Sequence, residues 1–128
     1  MRKKVRDRAP LFLDTAYVYA LVNTRDHWHE VATTWERRLA AERRHLLTTE
    51  FVLLEIADGL ASLRFRIGAV RIIAALRASS LVEIVSVTSD LLEAALDLYQ
   101  HRDDKEWGLT DAIRNSPPIH AKRLCTKR

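Results

Sequence analysis

The sequence predicts an α/β protein in which helices cover both faces of a short parallel sheet, three layers in all. Three observations carry that expectation. Short apolar runs rich in Leu and Val alternate with longer segments of helical periodicity, the order that gives parallel strands joined by helical crossovers. Only 3 Gly and 3 Pro occur in 128 residues, too few for the turns of an all-β fold. Ala, Leu, Glu and Arg are frequent, and all four favour helices.

The elements follow in order. LFLD (11–14) reads as a short buried strand and 15–22 as a helix, with NTRDHW (23–28) as the turn after it. A helix over 29–42 places Val31, Trp35 and Leu39 on one face at intervals of four. RHLLT (44–48) is a second strand. Thr49 then caps a helix that runs to about Leu63. A further helix over about 66–79 carries Val70, Ile73 and Leu76 at helical spacing. LVEIVSV (81–87), rich in β-branched residues, is the most strand-like segment. TSDLLEAALDLYQ (88–100) is an amphipathic helix capped by Thr88 or Ser89. HRDDKEWG (101–108) is a polar loop, and LTDAI (109–113) opens another helix.

Beyond Ile113 the pattern breaks. Pro117 and Pro118 lack amide donors and cannot continue the helix that starts at 109. The segment IHAKRLCTKR is basic with little apolar periodicity. Residues 114–128 are therefore expected to form a poorly ordered tail that adds little to the core, behind a domain over 1–113.

The whole chain sets bounds on function. Its length suits one domain, and 48% hydrophobic with 30% charged residues is ordinary for a globular protein. A net charge of +4 weakly favours a polyanionic partner over a purely solvated basic surface. A lone Cys125 cannot form an internal disulfide, so a reducing cytoplasm is expected. The basic start MRKKVRDRAP is followed by only a short LFL before Asp14, far too little for a signal peptide or a membrane span.

Three carboxylates stand at the turning points of the β/α pattern: Asp14 in LFLDTAYVYAL, Glu55 in TTEFVLLEIADGL and Asp111 in DKEWGLTDAI. Each has an ordinary explanation. Asp14 can cap the helix after it. Glu55 shares a stripe with Val52, Ile56, Gly59 and Leu63, where an ion pair with Arg64 or Arg66 would compensate its burial. Asp111 suits the positive end of a helix dipole. Together they point to a divalent-metal site. Two carboxylates about 4 Å apart repel by roughly 4 kcal/mol at an effective dielectric near 20, so a cluster of them calls for a cation or a shared proton. Carboxylates with few other ligands suit Mg²⁺ or Mn²⁺.

Other candidates carry less. His27 and His29 have no Cys or His cluster for zinc. No glycine-rich phosphate loop and no nucleophile elbow occur. Trp28, Trp35 and Trp107 read as packing residues, Trp107 having the best claim to stack a base because it borders Asp111. Asp103 and Asp104 lie in a charged loop where acids are usually solvated, with Asp104 held in reserve as a ligand.

At FLDTAYVYALVNTRDHWHEVA, TTEFVLLEIADGLA and YQHRDDKEWGLTDAI the chain resembles PIN-domain proteins of the kind found as ribonuclease toxins in bacterial toxin–antitoxin pairs. The likeness spans about residues 11–113, and it rests on the order and spacing of three segments that are each undistinctive. It implies that Asp14 ends the first strand, that Glu55 lies on the third helix, and that Asp111, after Thr110, opens a late helix. It implies an endoribonuclease in which these three acids hold Mg²⁺ or Mn²⁺ and one takes a proton from the attacking water. Thr15 and Thr110, each beside an acid, are the substrate-contact candidates. RNA, an antitoxin protein and a second copy of the chain are the implied partners, with no membrane.

The departure from the family is at the carboxyl end. There the family continues through an apolar helix into a strand bearing a Thr-x-Asp acid, where this chain has IRNSPPIHAKRLCTKR. That suggests a frameshifted or truncated end, a missing last strand, an exposed first strand and impaired catalysis. Two rival readings remain: an inactive remnant that binds protein or RNA, and a helical domain whose acids are only caps and ion pairs. Metal-dependent RNA cleavage separates the first reading from both.

Overall fold

A computed structural model describes residues 9–106 and 108–124, apart from the side chains of Thr110, Pro118, Ala121, Arg123 and Leu124. Trp107 and Cys125 therefore lie outside the described residues. The order is β1 (Leu11–Phe12), α1 (Thr15–Val22), α2 (His29–Ala41), β2 (Leu46–Thr49), α3 (Glu50–Gly59), α4 (Leu63–Ala78), β3 (Val82–Val85), α5 (Ser89–His101), α6 (Leu109–Asn115) and α7 (Pro117–Leu124). The three strands form one parallel sheet in the order β1-β2-β3. β2 is central and pairs Leu46 with Leu11 on one side and with Val82 on the other. The alternation of helix and strand is as the sequence predicts, and β1 has a strand neighbour on one side only among the described residues.

Residues one apart on β2 serve different layers, as the pleat requires. Leu47 is fully buried with Leu91, Ala95, Ala112, Ile113 and Ile119 from α5, α6 and α7. A second cluster gathers Leu13, Val18, Val52, Ile56, Leu60 and Ala69 from α1, α3 and α4. Phe12 packs against both. Two caps foreseen from sequence are present: Thr49 accepts from the Val52 amide at the start of α3, and Thr88 from the Leu91 amide at the start of α5.

The two apolar stripes face inward only in part. Val31 and Trp35 on α2 are 48% and 47% exposed, and α2 turns Ala32 to the core instead. On α4, Val70 is exposed while Ala69, Ile72, Ile73 and Leu76 pack inward. α4 also starts earlier than expected, at Leu63, because α3 stops at Gly59. Leu63 is 80% exposed and does not share the Glu55 stripe. On α2 a small residue marks the buried face, so a reading that weighs large apolar side chains misplaces it, whereas on α4 Ile73 and Leu76 pack inward beside Ala69.

The largest departure is at the carboxyl end, where helix continues well past Ile113. The expectation that the segment adds little to the core is not what the structure shows. The prolines begin a helix and do not merely break one. Ser116 is extended (φ −65°, ψ 151°), the conformation favoured before proline. Pro117 then occupies the first helical position, where a missing amide costs nothing, and the Ser116 carbonyl accepts from the His120 amide at 2.8 Å. Ile119 and Ser116 are completely buried. The Ser116 hydroxyl donates to the Ile113 carbonyl at 2.7 Å, which satisfies it there. Arg114 lies 5.4 Å over the Phe12 ring, so α6 reaches β1, an edge strand among the described residues.

Candidate functional site

Asp14 follows Leu13 at the carboxyl end of β1, the end of an open α/β sheet where ligands bind. The backbone there is extended at Asp14 and helical from Thr15, so the side chain caps α1, its Oδ1 accepting from the Thr15 amide at 2.7 Å. Glu55 reaches the same place from α3. Its Oε2 accepts from the Thr15 hydroxyl at 2.6 Å. Thr15 is buried, so this short bond lies in a sheltered position. Asp111 arrives from α6, with Oδ2 accepting from the Gly108 amide at 3.1 Å.

These side chains line one open basin of about 520 Å³, which Thr15, Tyr19 and Asp58 also border. The three acids named from sequence are thus brought to one concavity. Among the described residues no three Asp, Glu, His or Cys groups already stand as a metal-ligand cluster, because each acid is turned onto a neighbouring hydrogen-bond donor. The donor set itself, all carboxylate oxygen with a hydroxyl beside it, suits a hard divalent cation. The capping role foreseen for Asp14 is real. Arg66, considered as a partner for Glu55, gives its Nε and Nη2 to the Ala61 carbonyl.

Asp104 stands elsewhere. Arg102 holds both of its oxygens, at 3.0 and 3.2 Å, on the exposed surface. That hydrogen bonding lowers its pKa from the ordinary value. It does not line the basin, and its carboxylate is engaged by Arg102 in an ion pair. The Thr110 side chain lies outside the described residues.

Two basin residues were missed. Asp58 sits three residues after Glu55 on α3, hence on the same face, and that spacing was available in the sequence. Tyr19 sits one turn after Thr15 on α1, and its hydroxyl donates to the Glu55 main-chain carbonyl at 2.7 Å. Burial first, then the charges of Glu55 and Asp58, raise its pKa, so it stays a donor.

A second cavity of about 300 Å³ lies among α1, α2, α4 and the sheet, walled by Val18, Leu39, Leu46, Ile72 and Leu76. None of the three acids lines it. Tyr17 borders this cavity, yet its hydroxyl is buried without a partner among the described residues. Burial, with Glu36 adding, pushes its pKa from 10 to about 12. An unsatisfied buried hydroxyl costs about 1–3 kcal/mol, so Tyr17→Phe should stabilise the protein by about 1 kcal/mol in urea unfolding. Because the folded state holds this proton longer than the unfolded chain, the stability tied to Tyr17 is full below pH 10 and falls as pH rises through about 12. Tyr17→Phe should remove that alkaline decline. A loss of stability on substitution would show that the hydroxyl has a partner after all.

Comparison with known proteins gives the family of the chain. Residues 11–113 match the PIN domain family. Among solved structures, the chain is similar to VapC20 of Mycobacterium tuberculosis, described as a sarcin-ricin loop cleaving toxin. The identity is 32% and the TM-score 0.66, over 80% of this chain and 76% of that one. No curated protein matches. No helix among the described residues is long and apolar enough to cross a membrane.

Proposed function

The chain belongs to the PIN-domain family, and from that premise we propose that it is a metal-dependent endoribonuclease acting as the toxin of a toxin–antitoxin pair. The observation that carries the reading is the meeting of Asp14, Glu55 and Asp111 from three separate helix starts and faces in one basin. Support for the toxin role comes from a neighbour, 32% identical, that is itself described as a sarcin-ricin loop cleaving toxin. RNA is the substrate class, and an antitoxin protein is the expected partner.

Asp14, Glu55 and Asp111 are the residues to hold Mg²⁺ or Mn²⁺, with Asp58 at the rim. The bound ion would supply Lewis acidity toward a phosphate oxygen and an acidified water. Thr15 orients Glu55 through its hydroxyl and presents the Asp14 cap through its amide. One carboxylate of the set receives the proton of the attacking water. β1 carries Asp14 with a strand neighbour on one side only among the described residues, so slower turnover is expected than in a member with a strand on both.

A second reading, a catalytically inactive module that binds protein or RNA, draws on one observation: each acid is turned onto a nearby donor, with no ligand cluster among the described residues. Cleavage of RNA by the purified chain separates the two. Cleavage in Mg²⁺ or Mn²⁺ that stops in excess chelator is the expected result. Equal cleavage in chelator would overturn the metal mechanism, and RNA retention without cleavage at any ion concentration would favour the binding module.

A further inference from the structure

Glu55 is gripped by α1 at two levels. Thr15 bonds its carboxylate, and Tyr19, four residues on and so on the same helical face, bonds its main-chain carbonyl. That carbonyl is one the helix already uses toward residue 59, so a phenol can share it only where residue 59 leaves room. Residue 59 is glycine, and a Cβ built there would fall on the Tyr19 hydroxyl and ring. Glycine within a helix is unfavourable. Here it permits a contact that no other residue allows.

We propose that Tyr19 and Gly59 form a lock between α1 and α3 that positions the Glu55 carboxylate for the metal. The lock fixes the crossing of the helix that follows Asp14 with the helix that bears Glu55. Tyr19 touches neither substrate nor ion in this role. It is a positioning residue, and the inference rests on the metal-dependent reading above. Removing partners that orient a ligand commonly weakens metal binding about 10–100-fold.

The test is direct titration of the full-length chain with Mn²⁺, read by the electron paramagnetic resonance of free ion, together with thermal melts. The parent should bind Mn²⁺, and Glu55→Gln should bind far more weakly. Tyr19→Phe, which keeps the ring and loses the hydroxyl, should bind about tenfold more weakly while remaining folded. Its KM for RNA should be unchanged, and its kcat should recover at high Mn²⁺. Gly59→Ala should weaken binding similarly in the parent but have little further effect in a Tyr19→Ala chain, where the added methyl has space. A parent that binds no Mn²⁺, or a Glu55→Gln chain that binds it equally, overturns the metal reading and the lock with it. Normal binding by Tyr19→Phe beside a weakened Glu55→Gln overturns the lock alone. If Gly59→Ala does not fold, the Tyr19→Phe comparison decides.

Discussion

Asp14→Asn is expected to lower RNA cleavage by more than about 100-fold, since loss of a ligand should exceed loss of its outer partners, while leaving stability within about 0.5 kcal/mol of the parent. The side chain has an observed role as a cap and a proposed one as a ligand, which this substitution pulls apart. As a cap it offers an oxygen to the Thr15 amide, and an asparagine carbonyl oxygen does the same, Asn and Asp being near equals at that position. As a ligand it offers a negative charge, which the amide lacks. Asp14→Ala removes both and should also cost about 1 kcal/mol in stability. Urea unfolding beside a cleavage assay reads both effects. Cleavage within tenfold of the parent for Asp14→Asn would make Asp14 a cap and nothing more, and the basin would lose its first ligand.

Ile119→Ala should destabilise the protein by about 2–5 kcal/mol, a large part of a typical 5–15 kcal/mol. Ile119 is 0% exposed and packs with Leu47, Leu91, Ala95 and Ile113, so truncation leaves a cavity that helices fixed to a sheet fill poorly. Lys122→Ala is the control. Lys122 meets Glu83 at 2.6 Å, but both are largely exposed, and such a pair contributes no more than about 1 kcal/mol. A loss below about 0.5 kcal/mol for Ile119→Ala, far under the usual range, would return α7 to the peripheral status that its sequence suggests.

The contrast shows what the residues reveal in a linear reading. Thr49 and Thr88 announce their helices because a hydroxyl before an apolar run has one strong use, to bond the free amides of the first turn. The acids were legible because a carboxylate beside apolar residues needs an explanation. The buried face of α2 was not, since Ala32 carries the close contact while Val31 and Trp35 point outward, and on α4 Ile73 and Leu76 pack inward as their spacing suggests while Val70 does not. α7 was misread because two prolines mean a stop inside a helix and a start at its first turn, and only the backbone at Ser116 decides which. Tyr19 could not be found at all from spacing. Its role depends on Gly59, 40 residues away, approaching across the helix crossing.

The two apolar clusters on either side of the sheet also divide the basin by ownership. Asp14 and Glu55 are rooted in the cluster of Leu13, Val52 and Ile56. Asp111 is rooted in the other, through Ala112 and Ile113. Contiguous segments with their own packing open with their own free energies. Ala112, Ile113 and Ile119 share their cluster with Leu47 and α5, so any opening of 109–124 that breaks these contacts would take Asp111 away from the other two acids. On the proposed function, activity on warming would then track the population of that segment's closed state and decline before the main unfolding transition. Substitutions in 109–124 that touch no acid would set the rate by changing how often the site is whole.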